Sequence, residues 1–274
     1  MPVAETSATL HTATVIDRRT PAQDIVVSGL FAPSLAAHAR PGQFVMVVPP
    51  AGSAVSTALG IYEAAGDRVS LMIVVVGPRT AELAALQPGS EVSLLGPLGN
   101  GFDLDGLGED VAIVAGGVGL ASLLLVAERI AAAGGRGHLY YGARTREALV
   151  DVDLFERLGI EATLATDDGS CGHRGYVTEL LGARSHSGIA ACGPSPMLRA
   201  VAGVAARTGI PAQLSLEEAF ACGVGACWGC VVPLDRNSAQ APAFPPAGAG
   251  ERRDYVHARI CAEGPVFWAH ELRW

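Results

Sequence analysis

Aromatic side chains are scarce in this chain: Phe, Trp and Tyr make up 5% of its 274 residues. Its interior must be packed mostly from Ala, Val and Leu, with Gly between them. Charge is also sparse, at 17%, while 50% of the residues are hydrophobic, so substantial cores can be buried. The charge that is present has no basic excess. The formal balance is −8, and phosphate binding needs a basic face, so no nucleic-acid partner is expected. The opening MPVAETSATLHTATVIDRR lacks a basic start followed by an apolar run, which makes the cytoplasm the default compartment. Val111–Ala127 carries no charge, but it is short for a membrane span and has Gly116-Gly117 in its middle. A buried strand, a turn and a buried helix explain it better, so no membrane association is expected.

The length suits two domains with a small third. Residues 1–103 read as short strands: Ala8–Asp17, Gln23–Leu30, Gln43–Val48, Thr57–Glu63, Arg68–Val76 and Glu91–Leu95, with turns at Pro41-Gly42 and Gly66. One short helix, Thr80–Leu86, interrupts them. This pattern predicts a small closed β-barrel. Residues 104–212 alternate instead. Strands are expected at Asp110–Ala115, Gly137–Tyr141, Ile160–Ala165 and Gly188–Ala191, with helices at Leu120–Ala133, Arg146–Leu158, Tyr176–Leu181 and Ser195–Arg207. Strands alternating with helices predict a parallel α/β sheet. Residues 213–274 hold a cysteine-rich loop and little helix, and Pro233–Arg253, rich in Pro, Ala and Gly, reads as an exposed loop.

Four cysteines carry the most specific signal. Cys222, Cys227 and Cys230 are spaced Cys-x4-Cys-x2-Cys, and Cys261 follows after thirty residues. That is the plant-type spacing of a [2Fe–2S] cluster. Glycines 223, 225 and 229 lie between the ligands, where a backbone must wrap tightly around inorganic sulfide. A structural zinc site also takes four cysteines, though ordinarily as two separated pairs, and disulfides would need an oxidising compartment. Cys171 and Cys192 stand outside the pattern.

A second signal is a candidate dinucleotide site. The strand at 110–115 runs into Gly116-Gly117-Val118-Gly119 and a helix, offering free N–H groups to a pyrophosphate. Such turns are often only tight turns. Asp168, beside Asp167, ends a later strand and could bond ribose hydroxyls or cap its own turn. Cys192-Gly193-Pro194 ends another strand, so three strand ends point to one crevice.

Together these segments resemble the electron-transfer subunits of the NAD-linked, heterotetrameric dihydroorotate dehydrogenases, within the ferredoxin reductase superfamily. The likeness runs nearly end to end, through PGQFVMV (41–47), GPLGNGF (96–102), AGGVGLASLL (115–124), ATDDGSCGHRGYVT (165–178), ACGPSPML (191–198), SLEEAFACGVGACWGCVV (215–232) and ICAEGPVF (260–267). The resemblance implies FAD on the barrel, around Thr57, Ala58, Leu59, Gly60, Arg79 and Thr80. It implies NAD on the α/β domain, at Gly117, Val118, Gly119, Asp168, Cys192, Gly193 and Pro194. It further implies a partner, an FMN-containing catalytic subunit that oxidises dihydroorotate for pyrimidine synthesis. No proton-transferring side chain of this chain is required.

The sequence departs from the family at the flavin. Ser56-Thr57-Ala58-Leu59-Gly60 stands where an Arg-Arg-Pro-Ile-Ser-like segment is usual, Ile73-Val74 where an aromatic–basic pair is usual, and Arg79-Thr80 where a small phosphate-holding Gly-Thr or Gly-Ser is usual. A lost Arg–phosphate contact is worth roughly 1.5–3 kcal/mol. Two alternatives follow: an FAD-less iron–sulfur relay with a vestigial NAD site, or an NADH-dependent reductase for another acceptor.

Overall fold

In a computed structural model of the protein, residues 8–48, 56–242 and 254–274 are described. Six strands close the N-terminal barrel: β1 (Thr9–Ala22), β2 (Ile25–Phe31), β3 (Phe44–Val48), β4 (Thr57–Ala65), β5 (Arg68–Val74) and β6 (Glu91–Leu98). They are joined in the order β1-β2-β5-β4-β3-β6, all antiparallel. Closure removes the free edges that short strands would otherwise expose. Small aliphatics fill the barrel, among them Val15, Val45, Ile61, Val69, Leu71 and Leu94.

Two helices sit on the barrel. α1 (Pro33–His38) was not expected; it starts on a proline and drives fully buried Leu35 into the core. α2 (Pro78–Ala84) begins earlier than its hydrophobic pattern suggested, because Pro78 suits the first helical turn. The Thr80 hydroxyl accepts the N–H groups of Val76 and Gly77 at 3.0 and 3.2 Å, which ends β5 two residues short of expectation.

The second layer is a seven-stranded sheet. Its elements are β7 (Asp110–Gly116), α3 (Leu124–Ala132), β8 (Arg136–Ala143), α4 (Val152–Arg157), β9 (Glu161–Thr166), β10 (His173–Arg174), β11 (Gly188–Cys192), α5 (Ser195–Thr208) and β12 (Ala212–Ser215). The strand order is β10-β9-β8-β7-β11-β12-β15, where β15 (Val266–Trp268) comes from the C-terminal end of the chain. β15 pairs antiparallel with β12, so the sheet is mixed rather than purely parallel. The segment after the cysteine loop thus returns to the central sheet. β13 (Val231–Asp235) and β14 (Tyr255–Arg259) form a separate two-stranded ladder.

Several expected elements differ. Val177–Leu180 is a single 3₁₀ turn. The helix expected over 146–158 is broken into a 3₁₀ turn at Arg146–Ala148 and α4. Between them Asp151 turns to φ 56°. Its carboxylate accepts Arg19 at 2.6 and 2.8 Å and the buried Tyr62 hydroxyl at 2.7 Å, both on the barrel. That clamp ties barrel to sheet and interrupts the helix. The loop expected over 233–253 is also partly strand: Pro233 lies in β13, and its carbonyl accepts Arg273 N at 3.0 Å. Residues 243–253 of that loop lie outside the described residues. Among the described residues, no helix is long and apolar enough to cross a membrane, and the uncharged run at 111–127 is strand, turn and helix.

Candidate functional site: a cleft leading to a cysteine loop

A cleft of about 550 Å³ opens between the barrel and the sheet. Thr57, Ala58, Leu59 and Gly60 of β4, with Arg79 and Thr80 of α2, line its barrel side, and Val118 lines the other. The six flavin candidates are therefore brought together. Val74 faces the cleft, whereas its neighbour Ile73 is buried in the barrel core. Among the described residues, Thr57 Oγ1 is buried without a hydrogen-bond partner, an acceptor and donor that a bound polar ligand would satisfy. Arg79 is exposed and, among the described residues, is the one basic residue lining the cleft. These features fit a dinucleotide, with a single cation available for its phosphates.

The dinucleotide candidates other than Asp168 meet at the carboxyl ends of β7 and β11, adjacent strands. A Cβ on Gly119 would stand 2.3 Å from the Cys192 carbonyl oxygen and 2.7 Å from Gly193 N, so only glycine lets the two strand ends touch. Gly117 differs: its surroundings are open, but its φ of 53° favours glycine. The helix expected to start at 120 is preceded by a 3₁₀ turn, Gly117–Ser122. Pro194 follows Gly193 and its carbonyl accepts Leu198 N, opening α5. Asp168 lies at the end of β9, two strands from β7 and so about 10 Å across the sheet. Its carboxylate accepts the Ser170 hydroxyl at 2.6 Å and N–H at 2.9 Å, which holds its pKa below the ordinary carboxylate value. Turn capping, one of the two roles open to it in the sequence, is what its hydrogen bonds perform.

The sequence did not single out Glu217. The Cys192 thiol, fully buried, donates to Glu217 Oε1 at 3.4 Å. Burial, with the nearby Glu217 carboxylate, pushes the thiol pKa well up. Glu217 opens onto the cleft, yet crowding by protein raises its own pKa, against the bond from Cys192. The pair stays protonated more readily than either group would in water. The available signal was its place in Ser-Leu-Glu-Glu, five residues before the first cysteine of the motif.

Ser215–Phe220 forms one wall of the cleft and reaches Cys222 two residues later. Phe220 packs on Phe44 of β3, ring centroids 4.9 Å apart. Gly223 sits so close to Met46 of the same strand that a Cβ would lie 2.4 Å from its sulfur. The cysteine loop is thus seated on the barrel beside the cleft. Cys230 and Cys261 are buried, Cys222 is half-buried and Cys227 exposed.

The four thiols stand as two neighbouring pairs, Cys222 with Cys227 and Cys230 with Cys261. Among the described residues no three His, Cys, Asp or Glu side chains close on one point to hold a metal ion. Backbone N–H groups nonetheless converge on the sulfurs. Gly225 N donates to Cys261 Sγ at 3.3 Å and Cys261 N to Cys230 Sγ at 3.4 Å. Burial works to raise the Cys222 pKa, but the N–H groups of Val224, Cys227 and Ala226 outweigh it and bring it to about 6. Burial and the neighbouring Cys230 push Cys261 up to about 12. Four thiols, with N–H groups bonding the sulfurs of Cys230 and Cys261, make a donor set that suits an iron–sulfur cluster.

No protein-family model matches the sequence. Individual proteins do. The chain is 34% identical over 235 residues, 85% of its length and 79% of the relative's, to the probable dihydroorotate dehydrogenase B (NAD(+)), electron transfer subunit of Methanothermobacter thermautotrophicus. It is also 34% identical over 237 residues to the corresponding subunit of Clostridium acetobutylicum, covering 85% of this chain and 86% of that one. Among solved structures, the NADH-dependent reduced ferredoxin-NADP oxidoreductase, described for flavin-based electron bifurcation, superposes with a TM-score of 0.79 at 27% identity, over 96% of this chain and 90% of that one. A ferredoxin NADP+ reductase from Neisseria gonorrhoeae, with FAD and NADP bound, shares the fold at a TM-score of 0.60 and 18% identity, over 74% of this chain and 93% of that one. With cleft, strand-end crevice and cysteine loop arranged on this fold, the chain belongs to the family of dihydroorotate dehydrogenase B (NAD(+)) electron transfer subunits.

Proposed function

We propose that this chain is an iron–sulfur flavoprotein subunit that passes electrons between NAD and an FMN-containing dihydroorotate dehydrogenase catalytic subunit, in the cytoplasm and as part of a hetero-oligomer. One observation carries the reading: Ser215–Phe220 lines the cleft and runs within two residues into Cys222. A group bound in the cleft and one held by the cysteines would share a wall. The assignment divides the chain into a flavin-type barrel (1–103), an NAD-type α/β unit (104–212) and a [2Fe–2S] unit (213–274).

Bound together, nicotinamide, flavin and cluster supply hydride transfer and its division into single electrons. The chain's residues bind and orient. Thr57, Ala58, Leu59, Gly60 and Thr80 would hold FAD, with Arg79 meeting its phosphates. Gly117, Val118 and Gly119 would bind the NAD pyrophosphate. Cys192, Gly193 and Pro194 would flank the nicotinamide, and Asp168 would serve the ribose only if Ser170 releases it. Cys222, Cys227, Cys230 and Cys261 would ligate the cluster. Glu217 and Cys192 form a hydrogen-bonded floor beside the cleft.

A second reading rests on charge. Ser56–Gly60 brings no basic residue, and Glu217 and Glu218 line the same cleft as Arg79. Diphosphate would meet two carboxylates and one guanidinium. An FAD-less relay between the partner and an outside carrier follows from that balance. Flavin, iron and sulfide per chain, measured on anaerobically purified protein, separate the two. The flavoprotein reading expects all three, with flavin and cluster absorbance bleached by NADH. Iron and sulfide without flavin would establish the relay, and the absence of both iron and sulfide would overturn the cluster.

A further inference from the structure

The cysteine loop is clamped by residues outside the ligand set. Arg259 ends β14 two residues before Cys261. Its Nη1 donates to the Gly225 carbonyl at 2.7 Å, its Nε to Glu263 Oε2 at 3.1 Å, and its Nη2 to Oε1 of the same carboxylate. Glu263 also accepts the Arg259 backbone N–H at 2.6 Å. The guanidinium lies 4.5 Å from the centre of the Trp228 ring. Trp228, between Cys227 and Cys230, has φ 55°, a conformation that a bulky residue holds only where its surroundings enforce it. The Arg259 and Glu263 side chains are only 24% and 12% exposed, so solvent screens their charges weakly.

The geometry of one peptide gives the clamp its consequence. The unit joining Gly225 to Ala226 is planar, with its carbonyl and N–H on opposite edges. Arg259 holds the carbonyl edge. Gly225's own N–H bonds the Cys261 sulfur. One guanidinium therefore holds in place the residue whose own N–H bonds a cysteine sulfur. Hydrogen bonds to sulfur, net charge and solvent exposure set the potential of such a centre. A cluster on four thiolates is anionic, and an added electron makes it more so, which a nearby cation favours.

We propose that Arg259 is a positioning residue that fixes the loop's N–H groups on the cysteine sulfurs, and that its charge, offset by Glu263, sets how readily the centre accepts an electron. This rests on the cluster assignment above. Arg259→Met removes the cation and releases the Gly225 peptide, so the centre becomes harder to reduce. Glu263→Gln keeps an acceptor for the guanidinium but leaves its charge uncompensated, so the centre becomes easier to reduce. Arg259→Lys keeps the charge but cannot fork between Glu263 and Gly225 while stacking on Trp228, so its potential falls between those of Arg259→Met and the unaltered protein.

The test is a redox titration of full-length, anaerobically purified protein, followed by the electron paramagnetic resonance of the reduced centre. The reduction equilibrium constant is expected to fall about tenfold in Arg259→Met, which is ~59 mV for one electron, and to rise in Glu263→Gln. A purely structural loosening would move both variants the same way, and that result, or no shift in either, overturns the proposal. If Arg259→Met does not fold, Arg259→Lys and Glu263→Gln supply the two signs. Iron and sulfide are first measured in the unaltered protein: their absence refutes the cluster assignment itself, whereas a full cluster with unmoved potentials refutes only the role of Arg259.

Discussion

At the scale of single residues, the nucleotide crevice depends on two glycines for different reasons. Gly119 is needed for space, because a methyl group there would strike the Cys192 carbonyl from which it is 2.3 Å away. Backbone atoms on both sides leave no flexible side chain to yield. Gly117 is needed for its dihedral, in open surroundings. Gly117→Ala should therefore cost about 1–2 kcal/mol, the strain of a left-handed alanine, and weaken NADH binding modestly. Gly119→Ala should separate β7 from β11 and abolish NADH binding while leaving the barrel folded. Isothermal titration with NADH, alongside circular dichroism, checks the order. Equal affinity in the two variants would remove the crevice from the binding site. Glycine and cysteine spacings are local, so these candidates were legible in the sequence. Glu217 and Arg259 were not, because their partners Cys192 and Gly225 lie 25 and 34 residues away.

At the scale of elements, alternation exposed the six barrel strands, and the strand–glycine–helix passage at 110–133 was equally plain. Short elements escaped. α1 has six residues, too few to show a helical period, and Pro233 disguised β13 as loop. The break before α4 was illegible for another reason: the local pattern at 146–158 is helical, and Asp151 is drawn out of it by Arg19 and Tyr62, which lie 132 and 89 residues away. That clamp makes a prediction. Asp151→Ala leaves the buried Tyr62 hydroxyl without its acceptor, which should destabilise the protein by about 1–3 kcal/mol. Arg19 adds little to that, since its side chain is 41% exposed and solvent screens the pair. Asp151→Asn keeps an acceptor and tolerates the left-handed backbone, so it should lose less than half as much. Urea denaturation of both variants measures the difference, and an Asp151→Ala midpoint equal to that of the unaltered protein would show that the clamp contributes nothing.

At the scale of the molecule, the two ends of the sheet have separate tasks. The carboxyl ends of the strands carry the glycines and Cys192, whereas the opposite end holds a polar network that no proposed cofactor touches. There the Tyr140 hydroxyl donates to His186 Nε2 at 3.0 Å, and His186 Nδ1 donates to Asp110 Oδ1 at 2.8 Å. Beside them His138 bonds Thr163 at 2.7 Å, stacks near Tyr140, and lies within reach of Arg184 and Glu161. The network joins β7, β8, β9 and the segment before β11, so its protonation bears on the stability of the whole sheet. Burial, then the nearby Arg184 and His186, lower the His138 pKa from its ordinary 6.5. Burial works to raise that of Asp110, but bonds from His186 and Arg136 outweigh it and lower it from 3.8. Both groups hold protons less tightly folded than unfolded, so each contributes stability that is complete above its ordinary pKa and is lost as pH falls through its folded value. Stability should therefore begin to decline below about pH 6.5 through His138, and decline again at the acid end of the carboxylate range through Asp110. His138→Asn, which keeps a polar group but cannot titrate there, should remove the first decline and leave the second. Comparing the variant with the unaltered protein at each pH cancels acid loss of any bound cofactor, since both would suffer it alike. Thermal unfolding between neutral pH and the carboxylate range reads the difference, and parallel curves would show that the sheet's acid sensitivity arises elsewhere.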